Sequence, residues 1–134
     1  MTRSRITVTL SYPVERVWDT VTNLHDIRWR SDLQAIKVID ESNFIEVTTQ
    51  GVETYFRVTH VDQYKLWEFD IENDAIQGHW TGVFSQHGTM TNLEFTEDII
   101  AKRFIIKPFV YFYLHQQQRR YIRDLKNKLR KENN

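Results

Sequence analysis

The sequence contains no cysteine, which excludes thiolate nucleophiles, zinc sites built on cysteine and disulfide frameworks. It also has no His-Glu-x-x-His motif, glycine-rich phosphate loop or dinucleotide-binding fingerprint, and its four glycines are scattered. No stretch approaches the roughly 18 apolar residues that predict a membrane span. The N-terminus leads directly into a strand pattern and not into the apolar core of a signal peptide. We therefore expect a cytoplasmic protein with no metal and no cofactor.

The chain has 134 residues, of which 40% are hydrophobic, and these values predict one globular domain spanning residues 1–134. Its net charge of zero conceals segregation of the charges along the chain. Residues 1–39 hold six bases and four acids, residues 40–98 hold two bases and twelve acids, and residues 99–134 hold ten bases and two acids. The central part is therefore acidic and the C-terminal part is basic.

Alternating apolar residues predict seven strands. Ile6, Val8 and Leu10 form the first pattern, and six further alternating runs follow between Leu33 and Ile99. Turn residues separate those runs, which favours an antiparallel meander. In the second run of the meander, we expect Ile45 and Val47 to face the core. In later runs, we expect Gly78 and Gly82 to lie beside Trp80, where they either bend the sheet or leave space for a cavity.

Helical periodicity occurs at two places. After Pro13, Val14, Val17, Trp18 and Val21 share one face, and a second short helix or turn is expected near Leu24–Trp29. After Pro108, apolar residues recur with a period of 3.6 over about 20 residues, which predicts a long C-terminal helix. An antiparallel sheet with one apolar face needs a cover, and this helix is the largest element available to provide it.

Two segments resemble the SRPBCC (START-like, Bet v 1-like) superfamily. The segment ITVTLSYPVERVWDTVTNLHDIRWRSDL (6–33) is similar to its opening strand and helices, and HGTMTNLEFTED (87–98) is similar to its C-terminal hairpin. The resemblance covers essentially the whole chain and is closest to small polyketide cyclase/dehydrase-like members. It implies an α+β helix-grip fold: about seven curved antiparallel strands wrapped around a long C-terminal helix, with two short helices after the first strand. It also implies a ligand cavity between sheet and helix.

Most of the expected cavity residues face inward by strand or helix phase, and Trp29 is included because it could stack on a flat ligand. Aromatic side chains would supply apolar contact, and a few polar groups would orient a ligand. The candidates are Trp29, Phe56, His60, Trp67, Trp80, Phe84, Thr91, Tyr111, His115 and Gln118.

Three functions are consistent with these residues, and the superfamily fold alone does not choose between them. The favoured one is binding of a small, largely apolar molecule, such as a lipid, a polyketide-like or an aromatic compound. A cyclase- or dehydratase-type enzyme would use His60 or His115 as acid or base. If these histidines only form hydrogen bonds within the core, they have no catalytic role. A co-chaperone-like module would contact a protein partner through the acidic outer face of the sheet.

The basic run near the C-terminus has a simple interpretation as a solvated helix face. The domain is not basic overall, and no motif that recognises the bases of nucleic acids accompanies the run. Nucleic acid is therefore not an expected partner. The apolar stripe of the same helix is needed to cover the sheet, so we expect no stable membrane association. A homodimer remains an open alternative.

Overall fold

The alternating N-terminal residues form the first strand, as predicted. In the computed structural model, which describes residues 1–132, β1 spans Thr2–Leu10 and ends shortly before helix α1, Val14–Thr22. Pro13 occupies the N-cap position, where its missing N–H leaves no helical hydrogen bond unmade. The predicted apolar face of α1 is buried, and it comprises Val14, Val17, Trp18 and Val21.

The second short helix does not form. Residues 23–32 contain turns and irregular backbone only, so the turn forms near Leu24–Trp29 in place of the helix, and the prediction of two short helices after β1 is wrong. Side chains in this segment bind the backbone locally: the Asn23 carboxamide oxygen accepts a hydrogen bond from the His25 N–H, and the Trp29 indole donates one to the Asp26 carbonyl. Such bonds compete with the helical hydrogen-bond pattern.

Six strands follow and complete one antiparallel sheet, which confirms the predicted meander. Along the sheet the order is β1-β7-β6-β5-β4-β3-β2, so the N-terminal strand pairs with the last one. The strands are β2 (Leu33–Val38), β3 (Asn43–Thr48), β4 (Glu53–Asp62), β5 (Leu66–Glu72), β6 (Ile76–His87) and β7 (Met90–Ala101).

The long C-terminal helix is α2, Val110–Glu132, and it follows a 3₁₀ segment over Phe104–Phe109. Its buried stripe packs across β1 and β7, and this is how the helix covers the apolar face of the sheet. The helix-grip class of fold is therefore confirmed. Among residues 1–132, no helix combines the length and the apolar composition that crossing a bilayer would require.

Gly78 and Gly82 make room for neighbouring side chains and not for a cavity. A methyl group at Gly82 would overlap the Trp80 indole, and one at Gly78 would overlap Ile99 and the Asp98 carbonyl. The space left by the missing side chains of Gly78 and Gly82 is therefore occupied by Ile99 and Trp80, which pack against the sheet there.

Candidate ligand-binding cavity

A cavity of about 490 Å³ lies between the curved sheet and α2. This volume is within the range of small-molecule sites in proteins. Most of the wall is apolar, and it includes the aromatic side chains of Phe44, Phe56, Trp67, Phe69, Trp80 and Phe95.

The aromatic wall is held by contacts among its own rings. Phe44 stacks on Phe56 with ring centroids 4.9 Å apart, and Phe69 stacks on Trp80 at 4.7 Å. Trp67 meets the edges of both Phe69 and Trp80. Because each ring is fixed by at least one neighbour, the wall presents a preformed apolar surface.

Helix α2 contributes the opposite side of the cavity through Leu114, Gln118 and Tyr121. Gln118 is only 2% exposed, and its amide forms two hydrogen bonds with Ser4 of β1. Ser4 Oγ donates to Gln118 Oε1 at 2.8 Å, and Gln118 Nε2 donates to the Ser4 carbonyl at 2.9 Å. The predicted inward position of Gln118 is correct. Its side chain fastens the helix to the first strand.

The lining of the cavity also includes apolar residues of the 3₁₀ segment and the start of α2. Ile106, Phe109, Val110 and Tyr113 belong to the lining, and Phe109 is nevertheless 67% exposed. Phe104, on the same segment, is 90% exposed. Exposed aromatic side chains therefore lie in this part of the lining and next to it along the chain.

A cluster of charged groups also borders the cavity. The Arg30 guanidinium makes a bidentate ion pair with Asp32, with N–O distances of 3.0 and 2.9 Å, and lies 3.5 Å from a carboxylate oxygen of Glu46. It also lies over the ring of Tyr121, 4.8 Å from its centroid. Burial disfavours the charged guanidinium, but Glu46 and Asp32 outweigh that effect and raise the pKa of Arg30.

Glu97 of β7 is the other acid of this cluster. Burial, reinforced by repulsion from Glu46 and opposed by Arg30, raises the pKa of Glu97 to about 7. Burial likewise raises the pKa of Glu46, although Arg30 counteracts the shift. Burial is also the main reason why the pKa of Tyr121 is raised. The cavity thus contains a carboxyl group that changes charge close to neutral pH.

Of the candidates from the sequence, four line the cavity: Phe56, Trp67, Trp80 and Gln118. Three others lie in different surroundings. Phe84 packs edge-on against Trp18 of α1, and the Thr91 hydroxyl donates to the Tyr12 carbonyl at 2.7 Å. Trp29 packs against Tyr121 and borders a separate surface depression.

The expected inward orientation of His60 is wrong. The pairing of β4 with β5 shifts between Val58 and His60, which indicates a β-bulge at Thr59. Because side chains alternate along a strand, one extra residue moves everything beyond it to the other face. His60 is consequently exposed and sits opposite Glu68.

Tyr111 and His115 lie beside the buried stripe of α2 and not within the cavity wall. Tyr111 is 56% exposed, and its ring stacks on the His115 ring with centroids 6.0 Å apart. The stripe that faces the sheet instead runs through Val110, Leu114 and Gln118, at spacings of four residues. Helix α2 is therefore rotated slightly about its axis relative to the predicted orientation. This rotation places Tyr111 and His115 beside the cavity wall and not within it.

The sequence interpretation missed the charged cluster for two reasons. In β3 both faces carry apolar residues. The cavity is lined by the face with Phe44, which pairs with Phe56, and Glu46, so the phase that points Ile45 and Val47 toward the cavity is wrong, although Val47 is buried. Arg30 lies in the irregular segment, which has no periodicity to interpret. For Glu97 a signal existed, because an acid occurs in phase with apolar Phe95 and Ile99.

A second charged cluster lies on the outer face of the sheet. His79 Nε2 is 2.9 Å from Glu68, and its Nδ1 is 2.8 Å from Asp70, which also binds Arg57. Burial lowers the pKa of His79, but the two carboxylates outweigh it and raise the pKa overall. The predicted outward orientation of these acids is correct.

Comparison with solved structures gives the fold independently. A START superfamily protein from Mycobacterium smegmatis superposes with a TM-score of 0.88 at 12% identity, covering 96% of this chain and 97% of that one. The chain has the START-like fold. A conserved protein from Geobacillus kaustophilus gives a TM-score of 0.84 at 10% identity, with 97% and 96% of the two chains covered.

DynU16, from the dynemicin biosynthetic locus, shares the START-like fold as well. Its TM-score is 0.78 at 14% identity, and the match covers 96% of this chain but 47% of DynU16. No protein-family model matches the sequence, and no curated protein shows significant similarity to it. At such identities the similarity establishes the START-like fold, while function has to be argued from the cavity.

Proposed function

We propose that the protein binds a small, largely apolar molecule in the cavity between the sheet and α2. The observation that carries this proposal is the 490 Å³ space between sheet and helix, which is lined by preformed aromatic rings. Protein interiors are otherwise packed to the density of organic crystals. A space of this size is therefore a feature that a bound molecule explains.

The expected affinity comes mainly from the apolar wall. Removing apolar surface from water contributes about 25 cal/mol per Å², so a two-ring aromatic compound burying roughly 250 Å² gains about 6 kcal/mol before association costs. The charged cluster around Arg30 and Glu97 would then orient one polar group of the ligand.

Binding is better supported than the enzymatic alternative. A cyclase- or dehydratase-type enzyme using His60 or His115 requires these groups within reach of the ligand. His60 is on the outer face of the sheet, and His115 lies beside the stripe of α2 that borders the cavity. The protein-interaction alternative is weakened too, because ion pairs such as Arg57–Asp70, Arg3–Asp98 and Lys102–Glu72 neutralise much of the acidic outer face.

The proposal is tested by titrating 2-naphthalenemethanol into the protein and measuring the heat of binding. Two substitutions on the same strand form a matched pair: Thr54→Trp fills space in the cavity wall, whereas Thr59→Trp adds the same side chain at an exposed position. We expect binding to the wild type and to Thr59→Trp, and strongly weakened binding to Thr54→Trp. Circular dichroism checks that both variants keep the fold. Equal binding by the two variants would place the probe outside the cavity and refute the proposal.

A further inference from the structure

The charges that border the cavity do not balance. Within the part of the chain that the structure describes, one cation, Arg30, faces three carboxyl groups, those of Asp32, Glu46 and Glu97. Arg30 forms its bidentate pair with Asp32 and directs its remaining terminal nitrogen at Glu46. An anionic ligand would meet a guanidinium whose charge is already paired with Asp32 and Glu46, and it would also approach the carboxyl group of Glu97.

Of the three carboxyl groups, that of Glu97 is the one with which Arg30 forms no ion pair. Among residues 1–132 no hydrogen bond or ion pair holds its carboxyl, although the side chain borders the cavity. Two charged groups act on it, Glu46 from β3 and Arg30 from the 23–32 segment, and the side chains of Asp32 and Tyr121 border the same cavity. The carboxyl is thus free to interact with whatever occupies the cavity.

Aromatic rings line the same cavity as this surplus negative charge. Trp80 of β6 is the cross-strand partner of Glu97, its ring centroid lies 4.8 Å from that of Phe95, and Phe95 packs edge-on against Tyr121 at 5.2 Å. A cation near aromatic faces is attracted by their quadrupoles, and a carboxylate adds a direct ion pair. An anion gains from neither.

We propose that the ligand is an apolar molecule carrying a positively charged nitrogen, which pairs with Glu97 and Glu46 inside the aromatic cavity. This inference rests on the proposed function and specifies the chemical class of its ligand. A bound ammonium supplies the cation that the cluster lacks, so both carboxyl groups can ionise without mutual repulsion.

The test uses three probes of one shape and different charge, each titrated calorimetrically at about pH 8. They are 2-naphthalenemethylamine, which is cationic, 2-naphthalenemethanol, which is neutral, and 2-naphthoic acid, which is anionic. We expect the amine to bind about tenfold more tightly than the alcohol, and the acid about tenfold more weakly. The preference for the amine should shrink at about pH 5.5, where Glu97 is protonated.

The matched variants are Glu97→Gln and Glu94→Gln, which alter neighbouring acids of β7 on opposite faces of the sheet. The amine preference should fall to about threefold or less in Glu97→Gln and persist in Glu94→Gln. Glu46→Gln provides a second cavity variant if Glu97→Gln does not fold.

The outcomes separate the two proposals. An amine that binds no better than the alcohol, an acid that binds as well as the amine, or a preference unchanged in the folded cavity variants would overturn the cationic ligand while leaving apolar binding intact. If none of the three probes binds, the proposed function itself fails.

Discussion

Replacing Asp124 by alanine should loosen the segment that carries Arg30 and Asp32. Asp124 lies on α2 and is buried, and one carboxylate oxygen accepts two hydrogen bonds from Ser31: one from the backbone N–H at 2.8 Å and one from the hydroxyl at 2.7 Å. This contact ties the irregular residues 23–32 to the helix.

The magnitude follows from the two bonds that are lost. A hydrogen bond to a charged group contributes about 1.5–3 kcal/mol, but Ser31 is exposed and can regain water once Asp124 is removed. Ser31 also keeps its bonds from Arg120. We therefore expect Asp124→Ala to lower the free energy of unfolding by about 2–4 kcal/mol, which corresponds to a decrease in Tm of roughly 10 °C for a domain of this size.

Urea denaturation followed by tryptophan fluorescence measures this change, with circular dichroism as a second probe. Asp19→Ala serves as the matched control, because Asp19 is an exposed aspartate of helix α1. A loss of less than about 0.5 kcal/mol in Asp124→Ala, equal to that of Asp19→Ala, would show that the contact does not hold the segment. Ser31→Ala, which retains the backbone bond, should give an intermediate loss.

Three further predictions concern packing and pH. Gly82→Ala should cost about 1–3 kcal/mol of stability in thermal unfolding, because the added methyl overlaps the Trp80 indole; an unchanged Tm would contradict this packing. His79→Gln should destabilise more at about pH 5.5 than at about pH 8.5, since a raised histidine pKa contributes stability that is lost as pH rises through the folded value; equal losses at both pH values would exclude the ion pairs. Glu97→Gln should stabilise the protein by roughly 1–3 kcal/mol at about pH 8.5 in denaturant titrations, whereas Glu94→Gln should not, because a carboxyl pKa raised to about 7 costs stability that builds up above the unfolded pKa and is complete above about pH 7. A stabilisation that is the same at about pH 5 would refute that reasoning.

The order of the elements could be predicted because periodicity is a local property. Alternation in segments such as Trp67–Ile71 places successive side chains on opposite faces, and the 3.6-residue repeat after Pro108 defines the stripe of α2. The placement of Phe56, Trp67, Trp80 and Gln118 against the cavity followed from the same patterns. Each depends only on neighbouring residues along the chain.

The polar half of the candidate site could not be predicted in this way. A single bulge at Thr59 reverses the face of His60, and nothing in the alternation itself marks the extra residue. Strand β3 has apolar residues on both faces, so its phase was settled only by pairing Phe44 with Phe56. The path of residues 23–32 depends on the bond from Ser31 to Asp124, a contact between distant parts of the sequence.

By itself the sequence therefore determined a seven-stranded antiparallel sheet covered by a C-terminal helix, and an apolar interior rich in aromatic residues. Tertiary structure alone decided that this interior keeps a cavity of about 490 Å³ and that Arg30, Glu46 and Glu97 meet there. The physical reason is that hydrophobic periodicity fixes which face of each element is buried, whereas charges become neighbours through strand register, bulges and loop paths. These features depend on contacts between residues far apart in the chain.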